Sequence, residues 1–270
     1  MAEDMRTRNL PQRCQHHSSI FRKNEHLIQS QSYNINDVAI TLTESITGQM
    51  QWTAREKPLK DTVARILSKQ GAETNPKIVS ASTIFSLMKS IDDLCLLGLL
   101  FPTTQLNHVS HPVFLEVGQA RGRVGWTQSL QAKAGPRTSH SILIRLSTTR
   151  YYGDDKREAL SLKEVIQVAI HEMIHAYLLL LSCRQRQCGV EFDTMHRDSD
   201  GSGHGLAFVA LLKAVLGQVQ SWAPQLKEFG MTDEAIDPYE DFSLRLWKRG
   251  EGISARTKEQ RVWWLAARPL

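Results

Sequence analysis

Residues 169–176 read Ala-Ile-His-Glu-Met-Ile-His-Ala, which places two histidines four positions apart with a glutamate directly after the first. On a helix, His171 and His175 stand one turn apart on one face and can direct ring nitrogens at a single point. Two imidazoles so placed suit a zinc ion at about 2.0–2.1 Å from each nitrogen. Glu172 projects roughly 100° around the helix from His171, so it borders the metal without being the natural third ligand. The pattern predicts metal-activated hydrolysis, with Glu172 as general base and then proton donor to the leaving amine.

The surroundings of this motif decide between a zinc site and two ordinary helix histidines. A bare H-E-x-x-H string can arise by chance, and a pair of helix histidines is more often packed in a core or exposed than bound to metal. Here the string lies mid-helix among apolar residues, where two histidines and a glutamate need partners to justify burial. We therefore predict a catalytic zinc site.

A catalytic zinc ion takes three protein ligands and keeps one position open. The compact pattern with a third histidine six residues after His175 is absent, because position 181 is leucine. We prefer His204, in the run GSGHG at residues 201–205, because its flanking glycines let the backbone turn sharply at the start of the next helix. His196 and Glu191 are the alternatives, and three aspartates are also within reach along the chain: Asp193, Asp198 and Asp200.

Helical patterns predict the elements that must carry these residues. Ser161 and Glu164 have the spacing of a capping box. No glycine or proline interrupts the chain from there to about Ser182, so we predict one helix over that range. Further amphipathic helices are predicted at residues 62–69, 80–100 and 206–216. The polar residues 183–202 are interpreted as a flexible insertion between the motif helix and the last of these.

Strand-forming residues precede the motif helix. Residues 113–117 and 124–126 are rich in Val, Phe, Leu and Trp and are separated by glycines, which predicts a hairpin with a bulge or bend. Residues 141–147 alternate Ile142, Ile144 and Leu146 with other side chains, the pattern of a half-buried strand. Together with the helices, these segments predict an α+β fold with a small antiparallel or mixed sheet.

Composition bounds the class of protein. The chain has 270 residues, 41% of them apolar, enough for one sizeable core with extensions. Residues 1–57 are polar and show no sustained period, so we predict a mostly disordered or loosely structured extension, with the ordered domain beginning near residue 80. The first residues hold no apolar run suited to a signal peptide, and polar residues interrupt the longest apolar stretch. We therefore predict neither secretion nor a membrane span.

The cysteines and the basic residues give weaker indications. Four cysteines without a C-x-x-C pair make no disulfide framework, which is typical of a reducing intracellular compartment. Cys183 and Cys188 are close enough to share a metal, but we interpret them as free loop thiols. The net charge is +5, and residues 237–270 mix Lys and Arg with three tryptophans, a composition that can bind nucleic acid. The simpler interpretation is a solvated tail that docks its tryptophans on the domain.

Three stretches resemble the SprT-like zinc metalloprotease family, to which the Spartan protease of DNA–protein crosslink repair belongs. They are HEMIHAYL at residues 171–178, GHG with a following Phe at residues 203–208, and IRLS at residues 144–147. The resemblance covers roughly residues 80–230. It implies that His171, His175 and His204 bind one catalytic zinc ion and that Glu172 is the catalytic glutamate.

The resemblance also implies a small zincin-like α+β domain. In such a domain the motif helix packs beside a short, mainly antiparallel sheet, whose exposed strand takes up an extended substrate chain. This sequence departs from the family pattern in two respects. Residues 183–202 make a longer connection than is usual, and no cysteine follows Cys188, so the zinc ribbon often found after the domain is missing. The short motifs that recruit partners of the repair protease are not recognisable either.

Two hypotheses for function follow. The first is an intracellular zinc endopeptidase that acts on protein substrates, with DNA-associated proteins as candidate substrates, DNA or chromatin as a candidate partner, and the nucleus rather than the cytoplasm as its location. The second is a degenerate zinc-binding module that has lost proteolysis and holds nucleic acid through its basic tail. An intact Glu172 beside two intact histidines favours the enzyme.

Overall fold

The computed structural model of the chain describes residues 14, 31–48, 51–69, 80–101, 113–119, 123–134, 137–152, 156–196 and 204–230. Over these residues the fold is α+β, as predicted, with a three-stranded mixed sheet and a two-stranded sheet. The helices are α1 Ile35–Thr47, α2 Glu56–Leu67, α3 Ala81–Cys95, α4 Leu162–Leu181, α5 Arg186–His196 and α6 Leu206–Gln220. The strands are β1 Val113–Gly118, β2 Gly125–Ala134, β3 Arg137–Ser147, β4 Thr149–Tyr152 and β5 Lys156–Ala159.

Helix α4, which carries the H-E-x-x-H motif, is the central element of the core. The predicted capping box forms: Ser161 Oγ accepts from the backbone N–H of Glu164 at 3.2 Å, and Glu164 Oε2 accepts from the Ser161 N–H at 2.7 Å. The helix packs against α1, α3 and α6 and also against β2 and β3. By length and composition alone α4 could cross a membrane, but 72% of its apolar window is buried inside the protein. Its long apolar run therefore matches a helix enclosed by other elements.

The main sheet has the strand order β1-β3-β2, with β1 parallel and β2 antiparallel to β3. The sheet is therefore mixed, which is one of the two arrangements that the strand patterns predicted, whereas the resemblance implied mainly antiparallel pairing. The predicted hairpin between residues 113–117 and 124–126 is wrong, because β3 lies between these strands and β2 forms its hairpin with β3. β3 buries Ile142, Ile144 and Leu146 and has partners on both edges. β1 and β3 are far apart in the sequence, so the spacing of turn residues does not indicate that they pair.

The predicted disordered extension is wrong for residues 31–48, which include α1. The Asn34 side chain caps this helix by accepting from the Asn36 N–H at 2.8 Å. Val38, Leu42 and Ile46, spaced four apart, are buried, and α1 packs against α4, α5 and α6. The disordered extension was predicted from the overall polar composition of residues 1–57, and the short apolar period of α1 does not stand out within it. The ordered domain thus begins before residue 80, and α2 also begins inside the predicted extension.

Of the predicted extension, the structure describes Cys14, residues 31–48 and residues 51–57. The other residues of the extension and the basic tail 237–270 lie outside the described residues.

Two predicted helix ends are also corrected. α3 ends at Cys95 rather than near residue 100, because Leu97 and Gly98 take positive φ angles of 61° and 65°. The buried carboxylate of Asp92 accepts from the backbone N–H groups that follow this turn, Leu100 at 3.2 Å and Phe101 at 2.8 Å. α6 begins at Leu206 as predicted but continues to Gln220.

The segment predicted as a flexible insertion, residues 183–202, contains helix α5. α5 packs against α1 and α6, and the Phe192 side chain is 4% exposed. Since α1 was not predicted, the surface on which this polar segment docks could not be predicted either.

Candidate metal centre

Three histidines from two regions of the chain meet at one point. His171 and His175 lie on adjacent turns of α4, and His204 lies just before α6. His204 Nε2 is 3.0 Å from His171 Nε2, and one ring nitrogen of each histidine lies within 4.8 Å of the other two. In a tetrahedral zinc site with bonds of about 2.0–2.1 Å, the ligand nitrogens are about 3.4 Å apart. The three imidazoles therefore fit a shared zinc ion after small ring rotations.

The Phe208 side chain packs against all three imidazoles. It lies on the first turn of α6, is buried, and stacks on His175 with the ring centroids 4.2 Å apart. Its centroid is 4.8 Å from that of His171 and 4.7 Å from that of His204. Such a wall limits the rotamers of the histidines and keeps water from one side of the cluster. In the sequence analysis, Phe208 entered only through the resemblance, although its position in the first turn of the helix predicted after His204 was a signal for proximity to that histidine.

Burial sets the protonation of the first histidine. Desolvation, followed by repulsion from His204, lowers the pKa of His171 to about 3. At neutral pH its ring is therefore uncharged, which is the form that binds metal.

Glu172 points to the sheet and is held there by a strand. The Thr127 hydroxyl of β2 lies 2.7 Å from Glu172 Oε2 and 3.0 Å from the Glu172 carbonyl oxygen, so it can donate to either. The residue is only 5% exposed. Burial raises the pKa of Glu172 to about 7, against the opposing effects of the Thr127 hydrogen bond and the charge of Arg123. A carboxyl group with this pKa can both take up and release a proton near neutral pH.

Gly125 allows α4 to approach β2 closely. A Cβ atom at this position would lie 2.5 Å from Val168 Cγ1 and 2.9 Å from Glu172 Oε1, both closer than side chains tolerate. From the sequence, the glycines of this region together predicted a hairpin with a bulge or bend. In the structure it makes room for the carboxylate and for the helix that carries it.

The other predicted ligands have different positions. Glu191 and His196 lie on α5, but their side chains are outside the described part of the structure. Asp198 and Asp200 lie outside the described residues altogether. Asp193 is exposed and does not belong to the histidine cluster. Gly205 is the N-cap residue of α6 with φ −66° and ψ −180°. Any residue can adopt this conformation, so the glycine-dependent turn expected after His204 is not present at Gly205.

Residues 104–220 match the model of the SprT-like family. This range contains the three histidines, Glu172, and the two β2 residues that contact it. Comparison with curated proteins and with solved structures found no match.

Proposed function

Since the chain contains a SprT-like domain, which confirms the resemblance seen in three short stretches, we propose that the protein is a zinc-dependent endopeptidase. The family is generally associated with metallopeptidase activity. The observation that carries the proposal is the meeting of three imidazoles, two from α4 and one from the residue before the N-cap of α6, with a buried glutamate of α4 directly after the first of them. We also propose the zincin-like arrangement of α4 and the sheet that the resemblance implies.

The proposed roles follow from these positions. His171, His175 and His204 would hold the zinc ion, which would supply a Lewis acid that activates water and polarises the scissile carbonyl. Glu172 takes the proton of the attacking water and passes it to the leaving nitrogen as the C–N bond breaks. The hydroxyl of Thr127 orients the carboxylate for both transfers.

The edge of β2 is the proposed substrate site. β2 pairs with β3 on one side, and among the described residues no strand pairs with its other edge. Gly125 and Thr127 of this strand contact Glu172. A substrate segment that extends the sheet by backbone hydrogen bonds along β2 would therefore run close to the base.

The substrates and location of the enzyme are further proposals. The net charge of +5 and the basic, tryptophan-containing residues 237–270 support DNA-associated proteins as substrates, DNA or chromatin as a partner, and the nucleus as location.

The test is cleavage of casein and of histones by the purified full-length protein, together with its zinc content. Glu172→Gln should lower the cleavage rate at least about 100-fold, because the proton acceptor is lost, and should retain the zinc. Glu44→Gln makes the same chemical change at an exposed position of α1 and should keep both zinc and activity.

A wild-type protein that binds no zinc would contradict the proposal, as would a Glu172→Gln variant as active as wild type. Zinc binding without cleavage of either substrate by the wild type would favour the alternative, a zinc-binding module without proteolysis.

A further inference from the structure

A second group of metal-binding side chains lies at the C-terminal end of α4. Cys14, Cys183 and Cys188, here called the cysteine cluster, have sulfur atoms within 4.8 Å of one another. The Cys14 and Cys188 sulfurs are 3.5 Å apart, and no cysteine of the cluster is in a disulfide. We propose that the cysteine cluster binds a structural zinc ion, separate from the histidine site.

Backbone hydrogen bonds bring the three cysteines together from distant parts of the chain. Residues 31–33 run beside the end of α4, where Ser32 N donates to the Leu181 carbonyl at 3.1 Å. Cys14 N donates to the Ser32 carbonyl at 3.0 Å, and Cys183 N donates to the Tyr33 carbonyl at 2.7 Å. Two of the three ligands are thus attached to the same short segment. The third, Cys188, comes from α5.

The hydrogen bonding of Cys183 suits a thiolate. The backbone N–H of Gln185, two residues further on, donates to Cys183 Sγ at 3.4 Å. A backbone donor stabilises negative charge on sulfur, and for Cys183 it opposes the effect of burial, which raises the pKa. Burial and the neighbouring Cys188 likewise raise the pKa of Cys14. Three thiolates this close together would repel one another, so without a metal the protonated thiols are favoured. A divalent cation among them favours the thiolate form and deprotonates its ligands.

The spacing of the sulfurs fits zinc. With Zn–S bonds of about 2.3 Å, sulfurs of a tetrahedral site are about 3.8 Å apart. The Cys14 and Cys188 sulfurs, 3.5 Å apart, are slightly closer than this. All three sulfur pairs are within 4.8 Å, so small side-chain rotations would bring them to the zinc-bound spacing. Thiolates select zinc over magnesium or calcium. The fourth position is left for water or a further donor of the chain.

The site would be independent of the proposed chemistry. Cys183 follows His175 by eight residues, about 12 Å along a helix axis. A metal bound there would join the segment that precedes α1, the end of α4 and the start of α5. Its role is to fix the elements around the motif helix, so the inference stands whether or not the protein is a protease.

The test uses the full-length protein purified with a reductant, with zinc measured per chain. The wild type should hold about two zinc ions, and Cys183→Ser and His171→Ala should each hold about one. Cys95→Ala, which removes a buried thiol from α3, should keep both. Cobalt substituted for zinc in the wild type should show thiolate-to-cobalt charge-transfer absorption, which histidine ligands do not give. This band should survive in His171→Ala and disappear in Cys183→Ser.

Three measurements on the wild type avoid any dependence on the folding of variants: alkylation of the thiols, the cobalt band and disulfide mapping. The cluster thiols should resist alkylation until a chelator removes the metal. Equal alkylation with and without chelator would overturn the proposal, as would cobalt-loaded protein without the thiolate band. A disulfide between Cys14 and Cys188, found by non-reducing peptide mapping of freshly purified protein, would overturn it too.

Discussion

The glutamate proposed as proton carrier is oriented by residues of another element. Glu172 belongs to α4, but the hydroxyl that contacts its carboxylate is on β2, and the space for the carboxylate is provided by Gly125 of the same strand. A carboxylate displaced by about 1 Å from its position beside the reacting atoms can lower the catalytic rate by about 100-fold. Activity should therefore respond to changes at the β2 residues that contact Glu172, although neither residue is a zinc ligand.

Thr127→Val tests the hydroxyl, since valine keeps the shape and removes the donor. A hydrogen bond to a charged group contributes about 1.5–3 kcal/mol, so we expect kcat/KM for casein to fall by about tenfold or more with zinc content unchanged. Thr127→Ser keeps the donor and should remain close to wild type. Equal losses in the serine and valine variants would show that the hydrogen bond is not the cause.

Gly125→Ala tests the close approach of the helix. The added methyl group would overlap Val168 and Glu172, and overpacking of this kind costs about 1–3 kcal/mol. We expect a lower melting temperature together with loss of cleavage. Gly118→Ala is the matched control, because nothing lies within 4 Å of a Cβ atom at that position of β1. If both alanine variants behave alike, the contact with α4 does not matter.

At the scale of elements, α1 is the largest departure from the sequence prediction. Leu42 is 1% exposed within the core formed with α4 and α6. Truncation of a buried leucine costs about 2–5 kcal/mol, whereas in a disordered extension it would cost nothing. Leu42→Ala should therefore lower the free energy of unfolding in urea by that amount. Glu44→Ala, exposed on the same helix, should change it by less than about 0.5 kcal/mol, and near-equal stability of the two variants would restore the disordered extension.

The elements that could be predicted are those whose signals are local. The capping box of Ser161 and Glu164 and the uninterrupted apolar run after it define α4 within a few neighbouring residues. The sequence could single out His204, which the structure brings to the other two histidines, because a short motif marks the start of α6. In contrast, the pairing of β1 with β3 and the contact of Thr127 with Glu172 join residues about 30 and 45 positions apart. The cysteine cluster is more distant still, since Cys14 and Cys188 meet only because residues 31–33 run along α4.

At the scale of the whole molecule, the net positive charge comes from one end of the sequence. Residues 242–270 hold seven Lys or Arg and two Glu, a net charge of +5, so residues 1–241 carry 26 basic and 26 acidic side chains and are formally neutral. The net charge that favours long-range attraction to DNA therefore lies in the tail rather than in the domain that carries the proposed site.

Deletion of residues 242–270 is the corresponding experiment. If the tail binds phosphates, the full-length protein should bind duplex DNA with an affinity that falls steeply with salt, by a logarithmic slope of up to about six for seven cations. The deleted protein should lose most of this affinity and of its salt dependence, while its zinc content and casein cleavage remain. A variant with the three tail tryptophans replaced by alanine keeps every charge, so it should retain the slope on duplex DNA and lose affinity mainly for single strands, where bases can stack. Fluorescence anisotropy with labelled oligonucleotides over a salt series measures all three proteins, and an unchanged affinity after the deletion would remove DNA from the proposed partners of this chain.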